Sequence, residues 1–161
     1  MSDLKILPAR NDADIAAAAR LFTAYANWLS DDYGISLEFQ NFAEELATLP
    51  GKYAAPKGEL YIVRSVTSIP LGCIAFRPID DTTCEIKRLY VAKDWRGQKL
   101  GARLVSECLN GARTAGYARA VLDTAEWMKD AQALYERNGF VDIAPYYDNP
   151  EAGIRYMGAY L

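Results

Sequence analysis

Three strand-like segments follow one another near the middle of the chain, with only short turns between them. They are residues 59–66 (ELYIVRSV), 71–79 (LGCIAFRPI) and 83–92 (TCEIKRLYVA), and each is rich in apolar residues. Turn-forming residues at 68–70 (SIP) and 80–81 (DD) separate them. Because connections this short join only neighbouring antiparallel strands, the segments predict an antiparallel meander at the centre of the fold.

Strand-like and helical segments alternate on both sides of this meander, in the overall order β-α-α-β-β-β-α-β-α-β-β. In the second half, helices separate successive strands, which predicts parallel crossovers beside the antiparallel first half. We therefore expect an α/β chain with a mixed sheet covered by helices. The outer segments are a strand at 4–9, helices at 13–30 and 42–49, a helix from 97 to near 116, a strand at 117–125, a helix at 127–139 and strands within 140–147 and 153–161.

The third meander strand changes the parity of its apolar residues. Cys84 and Ile86 occupy even positions, whereas Leu89 and Val91 occupy odd ones. Since strand side chains alternate with a period of two, the change predicts a β-bulge near residues 87–88. A bulge would leave backbone amides unpaired and free for a ligand. The alternative is a strand buried on both faces, in which parity carries no information.

Length and charge exclude several classes of protein. A chain of 161 residues fits one domain, so we expect a single domain over residues 1–161. Lys and Arg total 18 against 21 Asp and Glu, and without a basic surplus we expect no nucleic-acid partner. The polar start does not resemble a signal peptide, and no apolar run approaches membrane-spanning length. We therefore expect a cytoplasmic protein with no membrane partner.

Histidine is absent from the sequence. Its absence removes the commonest general base, every Ser-His or Cys-His nucleophile pair and most designs for a metal site. Cys73, Cys84 and Cys108 show no CxxC spacing and lie in apolar segments, so we interpret them as reduced core residues. We expect no metal, and chemistry that uses carboxylates, tyrosines, backbone amides or water.

The turn after the meander, residues 94–104 (DWRGQKLGARL), combines glycines with basic residues at the start of a predicted helix. A helix N-terminus offers free N–H groups and a partial positive charge, so it binds phosphate readily. Gly97 and Gly101 would let an anion approach the backbone, and Arg96 and Lys99 add positive charge. The segment matches neither the Walker loop nor the GxGxxG dinucleotide fingerprint. The alternatives are a plain turn or a phosphate cradle of another type.

Residues 96–101 (RGQKLG) resemble the pyrophosphate loop of the GNAT N-acetyltransferase superfamily, Arg/Gln-x-x-Gly-x-Gly/Ala. Lys99 stands where that loop usually has its middle glycine. Residues 131–140 (AQALYERNGF) are similar to the family block A-x-x-L-Y-E-x-x-G-F. Met128 stands where the family often has an Asn that contacts the cofactor. The resemblance covers residues 59–140 of the chain.

This resemblance implies a fold, a cofactor and a reaction. The fold is a mixed sheet of about seven strands, with an antiparallel first half, parallel fourth and fifth strands that splay at a bulge, and about four flanking helices. The reaction is transfer of an acetyl group from acetyl-CoA to a primary amine of a small molecule or peptide, by direct attack in a ternary complex and without a metal. The tail 145–150 (PYYDNP) is similar to a bacterial branch of small-molecule enzymes.

Two other functions stay open at this point. One is a non-catalytic module that senses acyl-CoA, for which the unusual Lys99 and Met128 leave room. The other is a nucleotide-binding protein that uses the same helix N-terminus, which the two failed signatures weaken. The last strand, within 153–161, would also allow pairing across a homodimer. The sequence does not identify the acceptor.

The resemblance also implies roles for individual residues. Tyr135 would protonate the leaving thiolate, the alternative being a core tyrosine bonded to a backbone carbonyl. Glu85 would accept the proton of the amine, directly or through water, the alternative being a cross-strand partner of a Lys or Arg. The backbone N–H of Leu89 or of its neighbour would stabilise the oxyanion. The residues expected to bind the cofactor are Leu89, Tyr90, Val91, Arg96, Gly97, Gln98, Lys99, Leu100, Gly101, Ala102 and Met128.

Two loops that combine aromatic and acidic residues, 31–40 (DDYGISLEFQ) and 145–150 (PYYDNP), are candidates for the acceptor site. Aromatic faces and carboxylates attract a cationic amine. The alternative is that these aromatic side chains simply pack over the core. The residues expected to line the acceptor site are Tyr33, Phe39, Gln40, Tyr146, Tyr147 and Asp148.

Overall fold

One sheet of seven strands runs through residues 4–161, the part of the chain that the computed structural model describes. The strands are β1 (Lys5–Pro8), β2 (Glu59–Arg64), β3 (Pro70–Pro78), β4 (Thr83–Val91), β5 (Arg119–Ala125), β6 (Val141–Asp142) and β7 (Ile154–Tyr160). Their spatial order is β1-β2-β3-β4-β5-β7-β6. Only β4 and β5 pair in parallel, so the predicted mixed sheet with an antiparallel first half is confirmed.

Four α-helices accompany the sheet in this range: α1 (Asp12–Tyr33), α2 (Phe42–Thr48), α3 (Leu100–Thr114) and α4 (Lys129–Arg137). α1 begins where the Asn11 side chain accepts a hydrogen bond from the Asp14 amide, and it ends at Gly34 in the left-handed conformation. α2, α3 and α4 lie within the segments predicted for them, whereas α1 extends beyond the predicted 13–30 to Tyr33, so the first residues of the predicted loop 31–40 are helical. No helix in residues 4–161 is long and apolar enough to cross a membrane.

β3 is buried from Leu71 to Phe76 because helices cover both of its faces. Along β3, Cys73 and Ala75 pack in the cluster on the α1 side of the sheet. Ile74 and Phe76 pack in the cluster on the α3 side. Two cores therefore sandwich β3, which explains why its sequence shows a continuous apolar run instead of alternation.

A β-bulge interrupts the pairing of β3 with β4 at the predicted place. Cys73 lies opposite Tyr90 and Ala75 opposite Lys87, so three residue steps on β4 match two on β3. Arg88, inside this step, has a φ of +63°. The apolar residues before the bulge have even numbers and those after it have odd numbers, yet both sets pack on the core on the α3 side. The extra residue in the bulge accounts for this change of numbering. The predicted bulge is confirmed.

The parallel pair β4–β5 opens immediately after its third residue pair. Thr83 pairs with Arg119, and Glu85 with Val121, but no later residues of the two strands are paired. From there β4 continues towards α3 and β5 towards α4. The strands diverge at the level of the bulge, and this divergence creates a cleft in the sheet.

Candidate active site

A cleft of about 1010 Å³ lies where β4 and β5 diverge. Its walls come from α1 and the following loop, the second half of β4, the first turn of α3, the end of β5 and α4. Five of the residues predicted for the site are absent from the lining: Glu85, Gln98, Tyr146, Tyr147 and Asp148. The predicted residues that line the cleft are Tyr33, Phe39, Gln40, Leu89, Tyr90, Val91, Arg96, Gly97, Lys99, Leu100, Gly101, Ala102, Met128 and Tyr135.

The first turn of α3 has free N–H groups, since no side chain among residues 4–161 caps it. Lys99, directly before the helix, has φ 61° and ψ 20°, and Gly97 has φ 85°. Both values lie in the left-handed region that favours glycine. The backbone of Lys99 therefore explains why a glycine is usual at this place in the family loop. With the partial positive charge of the helix end, the turn is suited to bind phosphate.

Gly101 also allows α3 and α4 to approach each other. A Cβ atom at this position would lie 3.0 Å from Cδ1 of Leu134 on α4. That spacing is tighter than ordinary van der Waals contact, so a larger residue would require the Leu134 side chain to shift. Glycine is thus favoured at the two positions for different reasons. Gly97 has a positive φ, whereas Gly101 lies close to the Leu134 side chain of α4.

Arg96 points its guanidinium group at the second half of β4. Its Nε donates to the Val91 carbonyl oxygen at 2.8 Å. The guanidinium carbon also lies 4.9 Å from the ring centroid of Trp28 and 5.6 Å from that of Tyr90, which are cation–π distances. Arg96 therefore binds the same strand segment that the family resemblance assigns to the cofactor.

The segment Leu89–Val91 has no paired strand on its β5 side within residues 4–161. It pairs with β3 through Tyr90 and Val91, and no residue of β5 pairs with it. A strand edge without a partner offers backbone N–H and C=O groups to an extended ligand, as in β-augmentation. The edge therefore suits a linear molecule that carries amide groups.

Tyr135 brings a phenol hydroxyl to the cleft from α4. Its ring is buried, 5.7 Å from that of Phe140, and no hydrogen bond within residues 4–161 contributes to the environment of its hydroxyl. Burial raises the pKa of Tyr135 well above its usual range, which keeps the group protonated and able to donate. Nearby, the Met128 sulfur lies 3.5 Å from the Thr124 hydroxyl, which donates to it.

Glu85 is almost completely buried, with 1% of its surface exposed. One carboxylate oxygen accepts from Nε of Arg77 at 2.9 Å, and the other accepts from the Tyr146 hydroxyl at 2.6 Å. The Lys87 ammonium lies 3.9 Å away. Arg77 is directly opposite on β3, which matches the cross-strand alternative for Glu85. Its role as the base stays a prediction.

Tyr146 and Tyr147 contact two carboxylates on neighbouring strands. Tyr146 donates to Glu85 on β4, and Tyr147 donates to Asp123 on β5. Burial, with the adjacent carboxylate next in importance, raises the pKa of both phenols, so both stay protonated as donors. In this arrangement the tyrosines orient the carboxylates, and Asp148 beside them is exposed. Contact of these three residues with an acceptor stays a prediction.

The other predicted acceptor residues lie on the α1 side of the cleft. Tyr33 stacks on Trp127, with ring centroids 3.4 Å apart and planes at 15°. Gln40 accepts a hydrogen bond from Nζ of Lys87 at 2.9 Å. Phe39 completes this wall of the lining. The stacked pair joins the end of α1 to the loop after β5 across the mouth of the cleft.

The sequence reading missed two charged residues of the cleft, Lys87 and Asp123. The pKa of Lys87 is lowered to about 8, chiefly by burial and next by the charge of Arg88, while Glu85 and Asp123 oppose the shift. Each residue is a charged residue within a segment predicted to be a buried strand. Such a buried charge is the sequence signal that could have identified them. In the described part of the chain, no three Cys, Asp or Glu side chains come together as a metal site.

The comparison with known proteins agrees with this geometry. The sequence model of the Acetyltransferase (GNAT) family matches residues 22–140. An uncharacterized N-acetyltransferase of Schizosaccharomyces pombe is 40% identical over 127 residues, which cover 78% of each chain. The chain belongs to the GNAT acetyltransferase family. It is accordingly an acyltransferase with an amine as its acceptor.

Solved structures show the same fold. An acetyltransferase from Streptococcus agalactiae superposes with a TM-score of 0.80, at 24% identity and with 98% of both chains covered. The PaiA N-acetyltransferase of Thermoplasma acidophilum, solved in complex with coenzyme A, gives 0.73 at 14% identity over 99% of both chains. The predicted GNAT-like architecture is therefore confirmed. Similar proteins occur in both a eukaryote and bacteria, so the bacterial branch is not singled out.

Proposed function

We propose that the chain is one N-acetyltransferase domain that transfers the acetyl group of acetyl-CoA to a primary amine of a small molecule or peptide. The observation that carries this proposal is the meeting of three features in one cleft. The free amides of α3, the unpaired edge of β4 and the unbonded hydroxyl of Tyr135 all line it. Acetyl-CoA supplies the activated thioester.

The residues present fit the two ends of this co-substrate. The amides from Gln98 to Gly101, with the charge of Lys99, suit the pyrophosphate at the start of α3. The edge Leu89–Val91 suits the amide groups of pantetheine. A ligand group that donates to the Val91 carbonyl oxygen would compete with Nε of Arg96, and we expect Arg96 to release the oxygen. The released guanidinium is then free to approach the phosphates.

The chemistry requires one bond to form, one to break and two protons to move. The amine nitrogen bonds to the acetyl carbon, the carbon–sulfur bond breaks, and the products are an N-acetyl amine and free coenzyme A. Tyr135 donates a proton to the departing sulfur and is reprotonated with one of the two protons that the acceptor ammonium releases, while the other passes to a base or solvent. Glu85 would act as that base through water, since its own oxygens are held by Arg77 and Tyr146.

The second candidate function is an acyl-CoA sensor without turnover. The contact of Arg96 with Val91, together with Met128 in place of the usual Asn, is the observation that favours it.

The acetyltransferase proposal also includes a homodimer, a cytoplasmic location, membership of a small-molecule branch and the absence of nucleic-acid or membrane partners. Each follows from the sequence reading alone.

Release of free thiol, with acetyl-CoA and a panel of amines, tests the proposal. We expect turnover on at least one amine, and a higher melting temperature in the presence of coenzyme A. Stabilisation by coenzyme A without thiol release on any amine would support the sensor. Stabilisation by ATP or NAD but not by coenzyme A would refute both functions.

A further inference from the structure

Two opposite charges lie at equivalent positions on the strands that diverge. The last residue pair of β4 and β5 is Glu85–Val121, and Lys87 and Asp123 each lie two residues further along. With a period of two, their side chains leave the sheet on the same face as that last pair. Both residues line the cleft that also contains Tyr135. A cation and an anion therefore lie on opposite sides of the opening, near the proposed acid.

The other buried charges nearby are already matched. Arg88 forms two hydrogen bonds to Glu45, at 2.9 and 3.0 Å. Arg77 binds Glu85 at 2.9 Å, whereas Lys87 is 3.9 Å from the same carboxylate. The Glu85 carboxylate thus contacts two cations, and it lies closer to Arg77 than to Lys87. Of the two cations, Lys87, which is 7% exposed, is therefore the less closely paired.

Both residues keep hydrogen-bonding capacity for a ligand. Nζ of Lys87 has three N–H donors and gives one to Gln40. Asp123 uses Oδ2 for both Tyr147 and Asn149, and its Oδ1 accepts no hydrogen bond within residues 4–161. The lowered pKa of Lys87, about 8, still leaves most of its ammonium charged at neutral pH. A buried ammonium with free donors favours an anionic partner.

We infer that the acceptor carries a carboxylate beside its amine, with Asp123 binding the amine and Lys87 the carboxylate. This inference rests on the acetyl transfer proposed above, and it names the substrate class as free amino acids. Polyamines fit less well, because their second cation would meet Lys87 in a poorly solvated cleft. Simple amines bring no anionic group to Lys87.

Matched acceptors test the inference directly. Thiol release is measured with phenylalanine, phenylalanine amide and phenethylamine, and with the corresponding sets for methionine and glutamate. We expect at least one free amino acid to exceed its own amide and its decarboxylated amine by about 10- to 100-fold in kcat/KM, as for a charge-assisted contact. Spermidine should be a poor acceptor.

Two variants assign the charges. Lys87→Met should lower kcat/KM for the free amino acid to the level of its amide and leave the amide rate nearly unchanged. Asp123→Asn should slow the amino acid and the amide alike. Lys5→Met, an exposed lysine on β1, is the matched control and should change neither. As a readout without turnover, the N-acetyl amino acid should raise the melting temperature of the coenzyme A complex, and Lys87→Met should abolish this shift.

The outcomes separate this inference from the proposed function. Turnover on phenethylamine or spermidine that equals or exceeds turnover on every amino acid overturns the inference and leaves the acetyltransferase intact. An unchanged ratio of amino acid to amide rates in folded Lys87→Met also overturns it. The absence of thiol release on all acceptors refutes the proposed function, and the inference falls with it.

Discussion

The two halves of the cleft are built in opposite ways. At the start of α3, the groups offered to a ligand are backbone amides of an exposed turn with no side-chain cap. At the divergence of β4 and β5, they are side chains, buried and held by partners from distant segments, such as Tyr146 on Glu85. The first half is fixed by local conformation. The second half depends on a network of charges and hydrogen bonds, in which one change affects several groups.

This contrast explains what the sequence could predict. The turn at 96–101 was identified because its residues are contiguous and its glycines reflect local backbone geometry. The meander, the bulge and the parallel crossover were likewise predicted from periodicity and short connections. By contrast, no local pattern indicates that Tyr147 reaches Asp123, since 24 residues separate them. Lys99 shows the limit of what the sequence can predict. The sequence shows a lysine where the family loop usually has a glycine, but it does not show that this lysine has a positive φ.

The largest expected effect concerns the buried half. Glu85→Ala removes the carboxylate shared by Arg77 and Lys87 and leaves two cations in a mostly buried region. We expect the free energy of unfolding, measured with urea, to fall by about 3–5 kcal/mol. Glu107→Ala, at an exposed position on α3, should change it by less than about 0.5 kcal/mol. A loss below about 1 kcal/mol for Glu85→Ala would mean that the network is not structurally coupled.

The second effect lies between the two halves, at Tyr135. Tyr135→Phe removes only the hydroxyl, whose environment includes no hydrogen bond from the described residues, so stability should hardly change. We expect the rate of thiol release to fall by about 100-fold or more, while the affinity for coenzyme A stays the same. Tyr160→Phe, at a position 87% exposed, is the control. An unchanged rate removes Tyr135 from the acid role.

A smaller effect is expected in the exposed half, where backbone conformation decides stability. Lys99→Val places a β-branched residue at φ 61° and should lower the free energy of unfolding by about 1–2 kcal/mol. Lys99→Gly should raise it by up to about 1 kcal/mol. Gln98→Val, beside it without a positive φ, separates backbone strain from loss of a polar side chain. Equal effects at both positions would show that strain at Lys99 is absent.

A further effect, comparable in size, is a pH dependence from Lys87. Its pKa is lowered from the ordinary value of 10.5 to about 8 by burial, so the unfolded chain binds more protons in this interval. Stability conferred by this residue therefore rises as the pH increases from about 8 to 10.5. The difference in unfolding free energy between the wild type and Lys87→Met, measured by urea at pH 8 and pH 10, should move in favour of the wild type. A constant difference would mean that Lys87 has an ordinary pKa.

The most direct test of the central claim observes the backbone amides of the α3 turn themselves. In ¹⁵N-labelled protein, titration with coenzyme A should shift the amide resonances of Gln98, Lys99, Leu100 and Gly101 strongly, while NAD at the same concentration leaves them in place. This result would show that the exposed half of the cleft binds the cofactor pyrophosphate. Unshifted resonances at a saturating concentration of coenzyme A, or equal shifts with NAD, would contradict the account.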